Sequence, residues 1–404
     1  MKKRDLYLNQ LITFKDKPVI KVITGIRRCG KSSLLTLFEE YLHNLSVSSD
    51  HIIRMNFESF EFDEIRNYRE LYKFIENKII SKKEKNYIII DEVQLVQDWE
   101  KCINALLVDF NVDIYITGSN AYLLSSELST LISGRYVEIK MQPLSFKEFI
   151  DFADIENKAN HDGLFSQYLE FGGLPAITDF LDIPESAAGF LNGIYNTVIM
   201  KDVIQRNEIR DPALLENVVK FLAANVGNIV SSKKISDYLT STGRKTRSDT
   251  IDNYIRMLEN AYIFYRAKRY DLKGKQILKT SEKFYIVDTG IQNQLTGLRN
   301  KDFGYTLENV IYFELLCRGY EVYIGKTDSF EIDFVATKYN EKIYIQVSAS
   351  ILDDNTKARE LRPLLAIHDS YPKYILTMDR TVFTDIDGIK VINIIDFLLE
   401  NNYK

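Results

Sequence analysis

The chain alternates between short apolar runs, typical of buried strands, and longer segments whose apolar residues recur every three to four positions, typical of amphipathic helices. From residue 1 to about residue 142 the two patterns follow each other regularly. This alternation predicts an α/β fold in which a parallel sheet is covered by helices on both faces. The predicted strands are the β-branched or apolar runs at 18–24, 52–57, 87–91, 113–117 and 136–139.

The pattern changes at residues 141–144, where a proline leads into a mostly helical stretch. We interpret residues 143–212 as a helical lid that follows a core of residues 1–142. Residues 213–290 contain three helix patterns and then a hairpin pattern, which is the outline of a winged helix-turn-helix. Residues 304–404 contain a helix, three strands, a helix and a further strand, which predicts a small α/β domain.

Length and composition narrow the class of protein. A chain of 404 residues is too long for one ordinary core and indicates several domains. Its three cysteines and four histidines are scattered, which argues against a disulfide framework or a zinc site. No apolar run is long enough to span a bilayer, and the amino terminus has no apolar signal core. We therefore expect a cytoplasmic protein with no membrane partner.

Residues 25–32, Gly-Ile-Arg-Arg-Cys-Gly-Lys-Ser, fit the G-x-x-x-x-G-K-[ST] pattern of a phosphate-binding loop. In such a loop the glycines let successive N–H groups point at a phosphate, and the following helix adds positive potential. Lys31 is expected to reach the β- and γ-phosphate oxygens, and Ser32 to ligate Mg²⁺. The alternative is a glycine-rich turn before a helix. The loop predicts ATP and Mg²⁺ as ligands, with contacts from Gly25, Arg28, Cys29, Gly30, Lys31, Ser32 and Ser33.

A second motif supports the first. The apolar run 87–90 ends in Asp91 and Glu92, a carboxylate pair that suits phosphoryl transfer. Asp91 is expected to hold the Mg²⁺ shell and Glu92 to polarise the attacking water. The alternative is a pair of acids that only marks the end of a strand. The spacing of the two motifs predicts that the 113–117 strand is inserted between the two strands that carry them.

Two further residues are candidates for the hydrolytic site. Asn120 follows the inserted strand, where its amide could sense the γ-phosphate or the water; it could equally cap the next helix. Arg135 precedes the last strand and could act as an arginine finger, in cis or in trans from a neighbouring copy in a homo-oligomer. A solvated surface arginine is the competing interpretation.

Positive charge is concentrated in the middle of an acidic chain. The net charge is −5, yet residues 231–283 hold thirteen Lys and Arg against six Asp and Glu. Such an excess is typical of a surface that binds a polyanion, although a solvated face or a protein-binding face fits as well. Predicted DNA contacts around the helices are Lys233, Lys234, Arg244, Lys245, Arg247 and Arg256. Further basic residues on the predicted wing are Arg266, Lys268, Arg269, Lys273 and Lys275.

Taken together, these motifs resemble a family of bacterial and archaeal AAA-type ATPases in which a phosphate-loop core is joined to a carboxyl-terminal domain of unknown function. The resemblance implies an AAA core, a helical lid, a winged helix and a carboxyl-terminal fold similar to restriction-endonuclease-like nucleases. It covers nearly the whole chain. The matching blocks are 25–32, 88–92, 116–120, 134–135, 171–175, 285–290 and 331–334.

The resemblance also implies a nuclease-like site that is degenerate. Glu308, Asp333 and Gln346 occupy the positions where such enzymes carry their metal-binding acids. Gln346 is neutral and can offer Mg²⁺ only a carbonyl, while Ser348 stands where a lysine is expected. Lys342 would lie about 13 Å along the strand from Gln346, too far to substitute. Lys357, on the following helix, remains a candidate for the missing cation.

The function that these patterns favour is Mg²⁺-dependent ATP binding and hydrolysis, coupled to DNA through a basic winged helix. Two alternatives stay open. One is a slow ATP-dependent switch or scaffold that binds a protein partner, and the other is an ATP-gated nuclease.

Overall fold

The computed structural model describes residues 2–119, 134–153, 160–274, 276–297, 303–327, 329–380 and 384–400. The chain forms two compact units. The first unit is Met1–Met141 together with Asn260–Tyr262, and the second unit is Gln142–Glu259 together with Ile263–Lys404.

The first unit is an α/β layer structure with one five-stranded sheet. Its strands are β1 (Ile20–Thr24), β2 (Ile52–Asn56), β3 (Asn86–Asp91), β4 (Val112–Gly118) and β5 (Tyr136–Lys140). Its helices are α1 (Asp5–Phe14), α2 (Lys31–Asn44), α3 (Tyr68–Lys78) and α4 (Trp99–Asp109). The strand order is β2-β3-β4-β1-β5, and every neighbouring pair is parallel. The predicted parallel α/β core is therefore confirmed.

Strand β4 lies between β3 and β1, as the spacing of the two motifs predicts. The register aligns Ile88 with Ile114 and Val22 with Ile116, and all four side chains are buried. Because helices cover parallel sheets on both faces, these strands are apolar throughout rather than alternating. The carboxyl ends of β1, β3 and β4 meet at one edge of the sheet, which is where open α/β sheets bind ligands.

The second unit begins with helices α5 (Phe146–Ala153), α6 (His161–Phe171) and α7 (Pro184–Thr197), the last continued by π-helical turns over Val198–Gln205. Next come α8 (Pro212–Ala224), β6 (Ile229–Val230), α9 (Ser232–Ser241) and α10 (Ser248–Asn260). A hairpin follows, formed by β7 (Phe264–Asp271) and β8 (Gln276–Ile286). The short strand β6 pairs antiparallel with β8.

The rest of the second unit is built on further strands and helices. The helices are α11 (Thr289–Thr296), α12 (Phe303–Cys317), α13 (Asp354–Leu365) and α14 (Ile394–Leu399). The strands are β9 (Glu321–Lys326), β10 (Glu331–Lys338), β11 (Glu341–Ser348), β12 (Lys373–Thr377), β13 (Asp385–Ile386) and β14 (Ile389–Asn393). Helix α11 and the segment β13–β14–α14 have no counterpart in the sequence prediction.

One sheet runs through most of the second unit. Its strand order is β13-β14-β12-β11-β10-β9-β7-β8-β6, so the hairpin joins the carboxyl-terminal strands. The junction is the parallel pairing of β7 with β9, in which Arg269 aligns with Ile324 and Tyr270 with Gly325. The sequence analysis placed these strands in separate segments, 213–290 and 304–404. In the structure they share one hydrogen-bonded ladder.

A glycine turn after α6 bonds to the start of α11. The Asp288 carboxylate accepts the N–H of Gly173 at 2.7 Å and that of Ile291 at 3.0 Å. Gly172 has φ 81°, and a Cβ atom there would overlap the Asp288 carboxylate. Burial raises the pKa of Asp288 to about 6, although the backbone N–H groups that it accepts act to lower this pKa. The two sequence blocks 171–175 and 285–290 are therefore joined by a hydrogen bond and packed closely against each other.

Candidate functional site

The phosphate-loop motif forms the turn between β1 and α2. Strand β1 ends at Thr24 and helix α2 begins at Lys31. Gly25 has φ 142° and Gly30 has φ 103°, conformations that favour glycine. A Cβ atom on Gly25 would also overlap the carbonyl oxygen of Met141. Both fixed glycines of the motif are thus required by the backbone path of the loop.

Lys31 folds back over the loop. Its Nζ atom donates to the carbonyl oxygens of Gly25 and Ile26, both at 3.0 Å, and the residue is buried. Ser32 and Ser33 are exposed at the start of α2, and Cys29 is buried within the loop. The amino-terminal end of a helix with exposed hydroxyls and a nearby ammonium group fits a magnesium-bound triphosphate.

Two arginines that the sequence analysis missed donate hydrogen bonds to backbone carbonyl oxygens of this loop. The buried Arg4 donates from Nη1 to the carbonyl oxygen of Cys29 at 3.0 Å. Arg54, on β2, donates to the carbonyl oxygen of Ser32 at 3.3 Å and to Thr36 Oγ1 at 2.9 Å. Neither arginine belongs to a local motif, since each reaches the loop from a distant part of the chain. No pattern in the sequence distinguishes them.

The carboxylate pair stands at the carboxyl end of β3. Asp91 and Glu92 are buried, and Glu92 adopts a left-handed conformation with φ 54° and ψ 47°. Thr117, on β4, donates its hydroxyl to the Asp91 carboxylate and accepts the N–H of Glu92 at 3.0 Å. One hydroxyl therefore joins both members of the pair. A polar residue at the end of the apolar run 114–116 was the available signal for Thr117.

The Glu92 side chain is held by neighbours. Its Oε2 atom accepts from Ser119 Oγ at 3.2 Å and from the amide of Gln94. Ser119 directly follows β4. The predicted sensor Asn120 lies outside the described residues. Glu92 thus sits at the same sheet edge as the phosphate loop, oriented by a hydroxyl and an amide.

Arg135 is exposed at the start of β5, where its carbonyl oxygen accepts the N–H of Ile20. In the parallel register, Ile20 aligns with Tyr136 and Thr24 with Lys140. Arg135 therefore lies at the amino-terminal edge of the sheet, about 17 Å along the strands from the phosphate loop. This register does not support an arginine finger in cis. A role in trans stays a prediction.

The basic residues of the second unit fall into two groups. All six predicted helix contacts are exposed, and Arg244 pairs with Asp211 at 3.3 Å. The cations of the hairpin differ, because its own unit neutralises several of them. Arg266 binds Glu259 and Glu282, each at 2.9 Å. Arg266 is thus already paired within the protein, and its role as a wing contact stays a prediction; Lys275 lies outside the described residues.

The structure brings together Glu308, Asp333 and Gln346, the residues that the sequence analysis assigned to a nuclease-like site. Gln346 accepts the N–H of Asp333 at its Oε1 atom, at 2.8 Å, and donates from Nε2 to Glu360 at 2.8 Å. The Asp333 Oδ2 atom accepts the N–H of Val347 at 2.9 Å. The carbonyl that Gln346 was expected to offer to Mg²⁺ is thus already hydrogen-bonded within the protein.

A lysine from the hairpin enters this site. The Lys283 Nζ atom lies 2.9 Å from Glu308 Oε1, 2.9 Å from Glu331 Oε1 and 3.9 Å from Asp333 Oδ1. We call these four residues the Lys283 cluster. Tyr285 also donates to Glu308, at 2.6 Å. The sequence analysis missed Lys283 because it resembles any other cation of the wing.

The two other cations that the sequence analysis weighed have partners of their own. Lys357 pairs with Asp354 at 2.6 Å, and its role as the missing cation stays a prediction. Lys342 lies over the rings of Tyr270 and Tyr371. Within the described ranges, no group of three or more His, Cys, Asp or Glu residues is arranged to hold a metal ion. Nor does any described helix have the length and apolarity to cross a membrane.

Comparison with known proteins agrees with this architecture. Residues 17–150 match a family model described as an AAA domain, and residues 162–302 match one described as a domain of unknown function (DUF8612). The Walker-type ATPase PABY2304 of Pyrococcus abyssi superposes with a TM-score of 0.54 at 16% identity, covering 73% of this chain and 96% of that one. At that identity the likeness shows the fold alone. Residues 17–150 therefore form an AAA domain with the fold of P-loop ATPases.

Relatives that match over most of their length show the family to which the chain belongs. An uncharacterized protein of Haemophilus influenzae is 45% identical over 398 residues, 98% of each chain. MJ1544 of Methanocaldococcus jannaschii is 30% identical over 355 residues, 85% of this chain and 77% of the relative. The chain belongs to the family that these bacterial and archaeal proteins form.

Proposed function

We propose that the first unit binds ATP with Mg²⁺ and hydrolyses it, and that the second unit couples this cycle to duplex DNA. The observation that carries the first part is the hydroxyl of Thr117, which joins Asp91 to Glu92 at the sheet edge where the phosphate loop also lies. An acid pair fixed in this way beside a phosphate loop suits phosphoryl transfer, where positioning and charge do most of the work.

Each residue has a distinct role in this proposal. Lys31 leaves the carbonyl oxygens of its own loop and pairs with the phosphate oxygens. Ser32 and Asp91 hold Mg²⁺, which, when bound, neutralises charge on the phosphates. Glu92 accepts a proton from the attacking water. Ser119 and Gln94 limit the orientations that the Glu92 carboxylate can take.

Calorimetry and a phosphate-release assay test this half of the proposal. Lys31→Ala should abolish tight binding of ATP in the presence of Mg²⁺, because the triphosphate loses its main cation. Glu92→Gln should bind ATP but release phosphate at least a hundredfold more slowly, since an amide cannot accept the proton. Unchanged affinity in the first variant would remove the nucleotide site from the loop, and normal turnover in the second would reassign the base.

The second half rests on the order of elements and on charge. A helix, a short strand, two helices and a hairpin, with the short strand paired to the hairpin, is the order of a winged helix. Six exposed cations lie on and beside α9 and α10, whereas two cations of the hairpin, Arg266 and Lys283, are neutralised within the protein. We therefore expect the helices, rather than the hairpin, to contact DNA phosphates.

A salt titration tests DNA contact. Lys245→Glu with Arg247→Glu should weaken binding of a duplex oligonucleotide and lower the slope of log K against log salt by about 0.9 for each phosphate that the protein no longer neutralises. The matched control is Lys82→Glu with Lys83→Glu, which makes the same charge change on the exposed surface of the first unit. If both double variants weakened DNA binding equally, the effect would reflect net charge alone. The assignment of DNA as the partner would then be wrong, and a protein partner would be favoured.

A further inference from the structure

The Lys283 cluster has the composition of a cation site. Three carboxylates, from Glu308 on α12 and from Glu331 and Asp333 on β10, surround one point. Carboxylate oxygens are the ligands that proteins use for divalent cations, although among the described residues these three acids are not arranged to hold one as they stand. Here the group at the centre is the ammonium nitrogen of Lys283. The Lys283 Nζ atom lies 2.9 Å from an oxygen of each of two carboxylates, which is the length of a charge-assisted hydrogen bond. Bonds from carboxylate oxygens to divalent metal ions are shorter, at most about 2.6 Å.

Lys283 is fixed in place by the sheet. Its backbone lies in the middle of β8, opposite Ile229 of β6 on one side and Ala267 of β7 on the other. The side chain is only 5% exposed. Withdrawal of the ammonium group would therefore need either a break in the ladder or a buried lysine without partners, which is costly. Rotation of the Lys283 side chain alone therefore cannot vacate the site for an ion from solution.

The carboxylates of the cluster keep Lys283 charged despite its burial. Burial alone would lower the pKa of Lys283, but Glu308 and the neighbouring carboxylates raise it above its ordinary value, so the ammonium form persists. Burial, with the nearby Glu308, raises the pKa of Asp333 to about 8. Arg269 lies 4.0 Å from Glu331, and a fourth acid, Glu360, is close enough to Asp333 to raise its pKa further.

We propose that this cluster is a cation site filled from within, in which the Lys283 ammonium group takes the place of a divalent ion and fastens the hairpin to the carboxyl-terminal strands. The cluster then binds no metal in the native chain and supports no metal-dependent cleavage of DNA. This inference does not depend on ATP hydrolysis or on DNA binding by the helices.

Titration of the full-length, nucleotide-free chain with MnCl₂ tests the proposal. Lys283→Met removes the ammonium group but keeps an unbranched apolar side chain of similar length. We expect this variant to bind one Mn²⁺ at least tenfold more tightly than wild type. Adding Asp333→Asn to it should abolish the gained binding. The control Lys268→Met changes an exposed lysine of β7 in the same hairpin and should titrate like wild type.

If Lys283→Met does not fold, a comparison of the wild-type chain with Asp333→Asn alone still tests the proposal. We expect millimolar Mn²⁺ to leave the thermal transitions of these two chains equally unaffected, and neither chain to cleave plasmid DNA. Mn²⁺ binding or metal-dependent cleavage by wild type that Asp333→Asn abolishes would overturn the proposal and restore a nuclease. A folded Lys283→Met chain that gains no Mn²⁺ binding would overturn it as well.

Discussion

Thr117 is the residue on which the geometry of the acid pair depends most directly. Its hydroxyl bonds to the Asp91 carboxylate and to the N–H of Glu92, whose backbone is held in the left-handed region. A residue with a Cβ atom adopts that conformation at a cost of about 1–2 kcal/mol, so the surroundings must fix it. Thr117 touches no phosphate group in this scheme and acts as a positioning residue.

Replacing Thr117 separates positioning from nucleotide binding. In Thr117→Val the side-chain shape is kept while the hydroxyl is removed, and we expect kcat for ATP to fall by about tenfold to a hundredfold. KM should change little, because the loop and Lys31 are untouched. Thr117→Ser, which keeps the hydroxyl, should recover most of the rate. A purely structural role would instead lower the thermal stability of both variants with little change in kcat per folded molecule.

The raised pKa of Asp333 predicts a pH dependence of stability. The folded chain retains this proton up to about pH 8, whereas the unfolded chain releases it near pH 4, at about the ordinary aspartate pKa. Between these values the folded state binds more protons, so the free energy of unfolding falls as pH rises. Asp333→Asn removes this contribution.

Urea denaturation at pH 5, 6, 7 and 8 checks this dependence. We expect the stability of Asp333→Asn relative to wild type to increase steadily across the series, because only wild type loses stability through this group. A flat difference for Asp333→Asn would mean that its carboxyl group ionises normally in the folded chain.

The residues that could be predicted from sequence are those whose partners are local. The phosphate loop is one contiguous segment, and the Asp91–Glu92 pair ends an apolar run, so both motifs are visible without a fold. Lys283 and Arg4 are different. Each acquires its partners only when distant segments pair, and neither position departs from an ordinary surface cation in the sequence.

At the level of elements, the turn at Gly172 is the clearest case of a position where a residue other than glycine would destabilise the fold. Gly172 has φ 81° and stands against the Asp288 carboxylate, so alanine there would be strained and would clash. Gly189 lies in helix α7 and has open space around it. Alanine at Gly189 should gain up to about 1 kcal/mol from helix propensity.

The same substitution at these two glycines should therefore act in opposite directions. We expect Gly172→Ala to lower the free energy of unfolding by about 2 kcal/mol or more, and Gly189→Ala to leave it unchanged or raise it. Urea midpoints at constant m-value give both numbers. Equal tolerance of alanine at the two sites would mean that the turn can relax away from Asp288.

Element prediction succeeded where periodicity is long and regular. The five strands of the first unit lie within two residues of the predicted runs at each end, and the inserted position of β4 follows from the spacing of the two motifs. Short elements such as β13, with two residues, are below the length at which a period can be recognised. The pairing of β7 with β9 leaves no local signal, because it is set by packing between segments about fifty residues apart.

For the whole molecule, the division into two units can be followed with one natural probe. Trp99 is the single tryptophan of the chain and is buried in the first unit. Its fluorescence therefore reports on the unit that carries the phosphate loop, whereas far-UV circular dichroism reports on both units. Ligand binding to the folded form alone stabilises it by mass action.

We expect ATP with Mg²⁺ to raise the midpoint of the thermal transition seen by Trp99 fluorescence. At a concentration one hundred times Kd the added stability is about 2.7 kcal/mol. In Lys31→Ala the shift should disappear, because the nucleotide then loses its main cation. A nucleotide-dependent shift that persists in Lys31→Ala would place the binding site elsewhere.

The ladder between β7 and β9 limits how this protein can be divided. A chain cut between residues 290 and 304 would leave an unpaired row of N–H and C=O groups on each fragment, and such open edges promote association between copies. The cut would also strand the ammonium group of Lys283 on one fragment and its carboxylates on the other. Truncation is therefore a poor route to the DNA-binding helices, and point substitution in the intact chain is the sounder one.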